Sequence, residues 1–207
     1  MMIHIRRIVM DKMANHSGCK HIFISLVFAL IIGACVCMAP CSQSHGFDVK
    51  NMELLQDQGY FPEVLRLIKN AQNSVRVCMF QAVFYPLQSD SPSNQLLNAL
   101  IAAHRRGVKV EVVLDNGGSL GEVAKSNTET ASLLKKAGVE VFFDSEEVTT
   151  HTKFLVIDNS IAVLGSTNWT YHALAKNHEL SAVVYSPEAA RRMNDYFEMV
   201  RRGGKRF

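Results

Sequence analysis

Past residue 41 this chain has one cysteine, no excess of either charge and no internal repeat. Four of its five cysteines, Cys19, Cys35, Cys37 and Cys41, lie in the N-terminal stretch, which excludes a disulfide-stapled scaffold for the remainder. The fifth, Cys78 in "SVRVCMF", reads as a small core hydrophobe. Of 22 Lys and Arg and 19 Asp and Glu, the first 41 residues hold four and one, which leaves 18 of each and assigns the whole formal +3 to that segment. A basic overall balance is therefore no argument for a nucleic-acid partner, although "RRGGKRF" is a local basic tail. Cys/His and Asp/Glu groupings with metal-ligand spacing are missing too, so no metal and no other cofactor is expected. What is present is globular: 48% of residues are hydrophobic and 20% charged, which sets extended disorder aside.

The N-terminal stretch differs in kind. Arg6, Arg7, Lys12 and Lys20 precede an almost unbroken apolar run from Ile22 to Ala39, the pattern of an export signal or a membrane anchor. A start at Met13 gives the tidier leader. Three fates stay open for residues 1–41: acylation at Cys35, since Ile32-Gly33-Ala34-Cys35 looks like a bacterial lipobox; cleavage between Ser42 and Gly46; or retention as an anchor. Each puts the domain outside the cytoplasm, in the periplasm or cell envelope, because the basic residues stay inside. Residues 42–47 read as a linker and 48–207 as a single domain.

Periodicity predicts a strand from Asp48 to about Leu55, a helix in "FPEVLRLIKNAQ" with Pro62 in a first helical position, and a buried strand in "SVRVCMFQAVF". A helix in "SPSNQLLNALIAAHRRG" ends at Gly107, "VKVEVVLD" is a strand, "NTETASLLKKAG" a helix and "VEVFFD" a strand. This alternation implies an α/β fold whose sheet is mixed but mostly parallel, with helices on both faces. Then the rhythm changes. "TKFLVID" and "IAVLGS" flank the turn-forming Asp158-Asn159-Ser160 as a hairpin, "NHELSAVVY" is a last strand, and "SPEAARRMNDYFEMVRR" a helix capped by Ser186.

The hairpin carries the chemistry. On a strand, His151, Lys153, Leu155 and Ile157 share a face and Asp158 falls on the other, so Asp158 reads as structural. An imidazole is a competent nucleophile or proton carrier, and an ammonium beside it anchors an anionic group; together they suit a phosphorus centre. Gly165 lets backbone come close, and Ser166 and Asn168 precede a short helix starting near Trp169, whose first N–H groups would face the same anion. Taken singly, His-x-Lys is common by chance and Ser166 to Asn168 could be a plain helix cap. The combined spacing H-x-K-x4-D-x6-G-S-x-N from His151 to Asn168 is far more specific.

That spacing resembles the HKD motif of the phospholipase D superfamily, above all its small bacterial endonucleases with one motif per chain, and the likeness runs from about residue 48 to 203. The resemblance implies a phospholipase D-like sandwich, catalysis by His151, Lys153 and Asn168 without a metal, and an acidic partner for the histidine at Glu179 in "KNHEL". Displacement at a phosphodiester needs a nucleophile on one side of phosphorus and an acid on the other, so one imidazole is not enough. Past residue 41 the other histidines, His45, His104, His172 and His178, lack the companion residues. The second set is expected from a second copy across a two-fold axis, a homodimer geometry that the resemblance also implies, with "QAVFYPL" or the surroundings of Trp169 as candidate interface. Nucleic acid is the first substrate expectation, with Arg105, Arg106, Lys109, Lys176 and the tail as groove candidates. Phospholipid such as cardiolipin is the alternative, met through membrane association of the N-terminal segment. A non-catalytic anion-binding module is the third reading.

Overall fold

The sequence "SVRVCM" sends Val75, Val77 and Met79 to one side of a strand and Arg76 and Cys78 to the other, and the molecule packs helices on both sides. In the computed structural model, which describes residues 46–118 and 120–207, this strand lies inside an eight-stranded sheet. The expected export segment, with Cys35, lies outside the described residues. Phe47–Phe207 forms one compact unit, and no helix among the described residues is long and apolar enough to cross a membrane.

In chain order the elements are β1 (Asn51–Gln56), α1 (Tyr60–Asn70), β2 (Ser74–Met79), α2 (Pro92–Arg105), β3 (Lys109–Leu114), α3 (Gly121–Lys136) and β4 (Glu140–Phe143). They continue with β5 (Lys153–Ile157), β6 (Ile161–Gly165), α4 (Tyr171–Ala175), β7 (Leu180–Tyr185), α5 (Pro187–Gly203) and β8 (Lys205–Arg206). The strands lie in the order β1-β7-β6-β5-β2-β3-β4-β8. Only β2 with β3 and β3 with β4 are parallel; the other five pairings are antiparallel. The expectation of a mostly parallel sheet is thus corrected, although the mixed α/β sandwich stands. Strand and helix alternate only as far as Phe143, after which β5 inserts beside β2 in the opposite sense and β6 and β7 follow as antiparallel neighbours.

Local chemistry accounts for most boundaries. The Ser91 and Ser186 hydroxyls accept the Asn94 and Ala189 N–H groups at the starts of α2 and α5, each followed by proline at the first helical position. Gly107 and Gly138, at φ 91° and 92°, end α2 and α3 in a conformation other residues avoid. α1 begins at Tyr60, ahead of Pro62, which is tolerated in a first turn whose N–H groups have no helical partner. α3 begins at Gly121, six residues before the expected helix, because "GEVAKS" follows a glycine cluster that masks its helical start.

Helices α1 to α3 bury one face of the sheet, with Val64, Ile68, Leu96, Leu100 and Leu134 against Val75, Val77, Val110, Val112, Leu155 and Ile157. Among the described residues the other face is covered by α5 alone, through Ala189, Ala190 and Phe197 on Cys78, Val113, Phe154, Val156, Ala162 and Val184. There Arg76 bonds Glu111 at 2.9 Å and Glu198 at 3.1 Å beneath the Phe197 ring. Burial works to raise the Glu111 carboxyl, but Arg76 and Lys109 outweigh it and hold the group below its ordinary value.

Candidate active site

The site forms where β2, β3 and β4 end and β5 begins. Lys153 opens β5 opposite Met79, the last residue of β2, and the backbone pairing continues outward through Phe80 N–H to Thr152 O at 2.9 Å. His151 stands just before the strand and is exposed. Its ring meets Phe80 edge-on with centroids 4.5 Å apart, and the Lys153 ammonium lies 4.9 Å over that same ring while donating to His151 O at 2.7 Å. Lys153 is otherwise buried, 8% exposed. Burial lowers its pKa, and the charges of Glu179 and Asp115 pull the other way.

Gly165 ends β6 opposite Ser181, and a β-carbon there would sit 2.1 Å from Ser181 Oγ and 2.5 Å from Ser181 Cα. Only glycine fits this approach. It brings Ser166 beside the start of β7, where the Ser166 hydroxyl donates to Glu179 Oε2 and accepts the Leu180 N–H at 3.2 Å. Asn177 Nδ2 donates to the other Glu179 oxygen at 3.1 Å. Among the described residues no hydrogen bond joins Glu179 to His151; within one protomer its partners are Ser166 and Asn177. Asn168 follows next to Trp169, which is fully buried and locked to the segment after β2 by Trp169 N–H to Gln81 O at 3.0 Å and Val83 N–H to Trp169 O at 2.9 Å. The Asn168 side-chain oxygen is buried without a donor, and its amide nitrogen makes no hydrogen bond among the described residues. It is a polar group held ready inside the site.

Two expectations change here. The short helix begins at Tyr171, two residues past Trp169, and its first turn is already engaged in part: the Thr170 hydroxyl accepts the Ala173 N–H and the Tyr85 hydroxyl accepts the Tyr171 N–H at 3.0 Å. Trp169, with its indole N–H donating to Tyr60 Oη at 3.2 Å, belongs to the core of the protomer and not to an interface. Asp158 lies at the far end of the hairpin, where its carboxylate accepts the N–H groups of Gln72, Asn73 and Ser74 between α1 and β2 at 2.7 to 3.2 Å. His104 and His172 lie on α2 and α4. His178 faces Asp57 at 3.3 Å, and Asp57, at φ 48°, also holds the Glu179 backbone by accepting its N–H at 2.9 Å.

A match to the family model described as "Cardiolipin synthase, PLD-like domain" extends over residues 64–201 and takes in the whole constellation. The chain belongs to the phospholipase D superfamily. Among its relatives in that superfamily, the mitochondrial cardiolipin hydrolase of Mus musculus is 28% identical over 167 residues, 78% of this chain and 62% of that protein, so the chain spans less than two thirds of that relative's length. The crystal structure of a phospholipase D family member, Nuc, from Salmonella typhimurium superposes with a TM-score of 0.63 at 23% identity, over 76% of this chain and 99% of that one. NucT from Helicobacter pylori gives 0.60 at 18% identity, over 76% of this chain and all of that one.

Sequence reasoning missed the residues that the superfamily fold places around the motif from distant segments. Phe80 supports both His151 and Lys153. Asn127, fully buried on α3, donates to Phe80 O and Asp115 O, each at 2.8 Å, and accepts the Ala82 N–H at 2.9 Å, tying the segments that follow β2 and β3 together. Asp115 and Asp144 flank Thr150, the residue before His151. Only the "D" that ends both "VKVEVVLD" and "VEVFFD" could have signalled the last two, since open α/β sheets bind ligands beyond the carboxyl ends of their strands.

Proposed function

We propose that the chain is a metal-independent phosphodiesterase whose working site is shared by two copies, and that its first substrate is nucleic acid. The observation that carries this is the half-site itself: one exposed imidazole, one buried ammonium and one unpaired Asn168 amide at a single strand-end edge. His151 of one copy attacks phosphorus, the P–O bond to the leaving alcohol breaks as the N–P bond forms, and the second copy's His151 delivers the proton to that oxygen. The same imidazole then takes a proton from water, which releases the phosphohistidine. Lys153 and the Asn168 amide hold the non-bridging oxygens, Gly165 and Ser166 shape the anion pocket, and Glu179 bears on the charged imidazole and on Lys153.

A surface suited to the second copy adjoins the site. Phe154, Leu164, Ala182 and Leu54 are cross-strand neighbours in one row over β5, β6, β7 and β1, on the face that α5 leaves partly bare. Leu54 is 61% and Leu164 43% exposed, and Leu180, next along β7, is 55% exposed. Lys153, Gly165 and Glu179 are the immediate chain neighbours of Phe154, Leu164 and Leu180 and alternate to the opposite face, so a copy docked on this row borders the catalytic edge and reaches it around the strand ends. We propose this row ahead of the two stretches expected from the sequence, "QAVFYPL" and the surroundings of Trp169.

For the substrate, an open edge with an exposed histidine suits a polymer running past it. Of the expected groove residues, Arg105, Arg106 and Lys109 stand at the opposite end of β3 from the site, and Arg106 is engaged with the Lys69 carbonyl at 3.0 Å. Lys176, three residues before Glu179, and Lys205, opposite Phe143 on β8, remain at the site end. The description of the family model and the name of the mouse relative favour a second reading, hydrolysis of an acidic phospholipid such as cardiolipin. We further propose that residues 1–41 export the domain, with Cys35 as acylation site.

Turnover on single-stranded DNA, duplex DNA, RNA and cardiolipin vesicles separates the substrates. The reading expects nuclease activity that persists in excess EDTA and falls by roughly 10^4-fold or more in His151→Ala, with an unchanged circular dichroism spectrum. Loss of activity on chelation would end it. Co-expressing wild type and His151→Ala in equal amounts should leave about a quarter of full activity, against about a half if each chain worked alone.

A further inference from the structure

Two buried carboxylates that play no part in the displacement chemistry hold the residue that leads into His151. Leu114 and Phe143 are paired on parallel neighbours β3 and β4, so Asp115 and Asp144, one residue further on each, emerge side by side beyond the strand ends. Asp115 is 3% and Asp144 2% exposed. The single Thr150 N–H donates to Asp115 Oδ2 at 2.7 Å and to Asp144 Oδ2 at 3.0 Å, which sets those two oxygens against one another. The remaining oxygens accept Gly117 N–H at 2.7 Å and Asn116 N–H at 2.8 Å. Gly204 packs its backbone on Phe143 O and Asp144 Cα, where a β-carbon would have no room. No lysine, arginine or histidine among the described residues makes an ion pair with either carboxylate.

We propose that Asp115 and Asp144 share one proton and, as a unit, position His151 by fixing Thr150 at the head of β5. Two ionised carboxylates around one N–H repel in a buried setting, whereas one proton between them turns the repulsion into a hydrogen bond. The surroundings agree. Burial, and with it the Asp144 charge, raises the Asp115 carboxyl above its ordinary value against the lowering effect of the Gly117 and Thr150 N–H groups. The groups that face the pair are the Lys153 ammonium on β5, which feels Asp115, and the Cys78 thiol on β2, which burial foremost and then both carboxylates push up to about 12 despite the Thr152 hydroxyl. Outside them lies the exposed Glu146–Lys205 pair at 2.8 Å. From Thr150 the constraint reaches the imidazole in one residue: His151 rests on Phe80, Thr152 O accepts Phe80 N–H, and His151 O accepts the Lys153 ammonium. When the proton leaves, the two oxygens separate, Thr150 follows one of them, and the ring loses its seat.

This rests on the proposed function only in treating His151 as the working residue, and its test has a reading that needs no activity. In the full chain, the Thr150 amide and the His151 ring signals, followed by NMR, should move together through one pH transition. In Asp144→Asn, whose Oδ1 still accepts Asn116 N–H while its amide donates permanently to Asp115, that transition should vanish from both; Asp115→Asn serves as the second variant. On bis(para-nitrophenyl) phosphate, kcat should fall on the alkaline side through the same transition in wild type and lose that limb in Asp144→Asn, with KM within about twofold. A Thr150 amide that titrates identically in wild type and both variants overturns the shared proton, and a His151 ring that ignores the Thr150 transition overturns the positioning. An inactive wild type that shows both NMR transitions would refute the phosphodiesterase reading and leave the positioning standing.

Discussion

Ser181 Oγ leaves no room for a side chain at residue 165. Gly165→Ala therefore forces β6 and β7 apart at the point where Ser166 reaches Glu179, and a loss of about 1 to 3 kcal/mol in unfolding free energy is expected by urea titration. The Asp115 carboxyl gives a second expectation, with the opposite pH sense from an ordinary salt-bridged acid. Its pKa is raised in the folded chain, so its contribution is complete below the ordinary carboxylate value and is lost as pH climbs through the raised one. Relative to Asp115→Asn, wild type should lose stability over that climb, as measured by urea unfolding at a series of pH values. At this scale the motif was legible because His151 to Asn168 are close in sequence and their types state their chemistry. Phe80, Asn127, Asp115 and Asp144 were not, because only the sheet topology brings them to the histidine.

Among the elements, the β5–β6 hairpin shows what local chemistry can and cannot specify. Asp158 and Asn159, at φ 50° and 52°, occupy the central positions of a two-residue turn closed by Ser160 N–H to Ile157 O at 3.1 Å, the left-handed geometry that Asp and Asn tolerate. Asp158 does more than turn the chain, since its carboxylate collects N–H groups from the α1–β2 link. Asp158→Ala should cost about 1 to 3 kcal/mol by leaving those donors poorly satisfied. Turnover per folded molecule should hold, because the turn lies at the far end of β5 from His151; a selective loss of kcat would contradict this division of labour. The hairpin was readable from its turn residues. The placing of β5 beside β2 was not, because "TKFLVID" suits either strand direction and the choice is made by which edge the growing sheet leaves open.

At the scale of the whole domain, the decisive feature is unequal cover: among the described residues, three long helices lie on one face of the sheet and one on the other. The bare row of Leu54, Ala182 and Leu164 is apolar and contiguous, the character of an interface core. Leu164→Glu should shift the chain to monomer in sedimentation velocity, and the monomer should bind a phosphodiester yet fail to turn it over; an active Leu164→Glu monomer would rule out a shared site. Sequence alone pointed to a partner because one histidine cannot act twice. It did not single out the surface, because an indole next to the motif reads as equally suited to the inside of one chain or the seam between two, and Trp169 itself proves to be core.

The half-covered sheet also makes concentration a reagent. If chemistry waits for two such faces to meet, specific activity must decline as the protein is diluted through the dissociation constant of the pair, and must recover on re-concentration. Tethering at a membrane surface would raise local encounter and hold the assembled form at copy numbers where free chains would drift apart and fall silent.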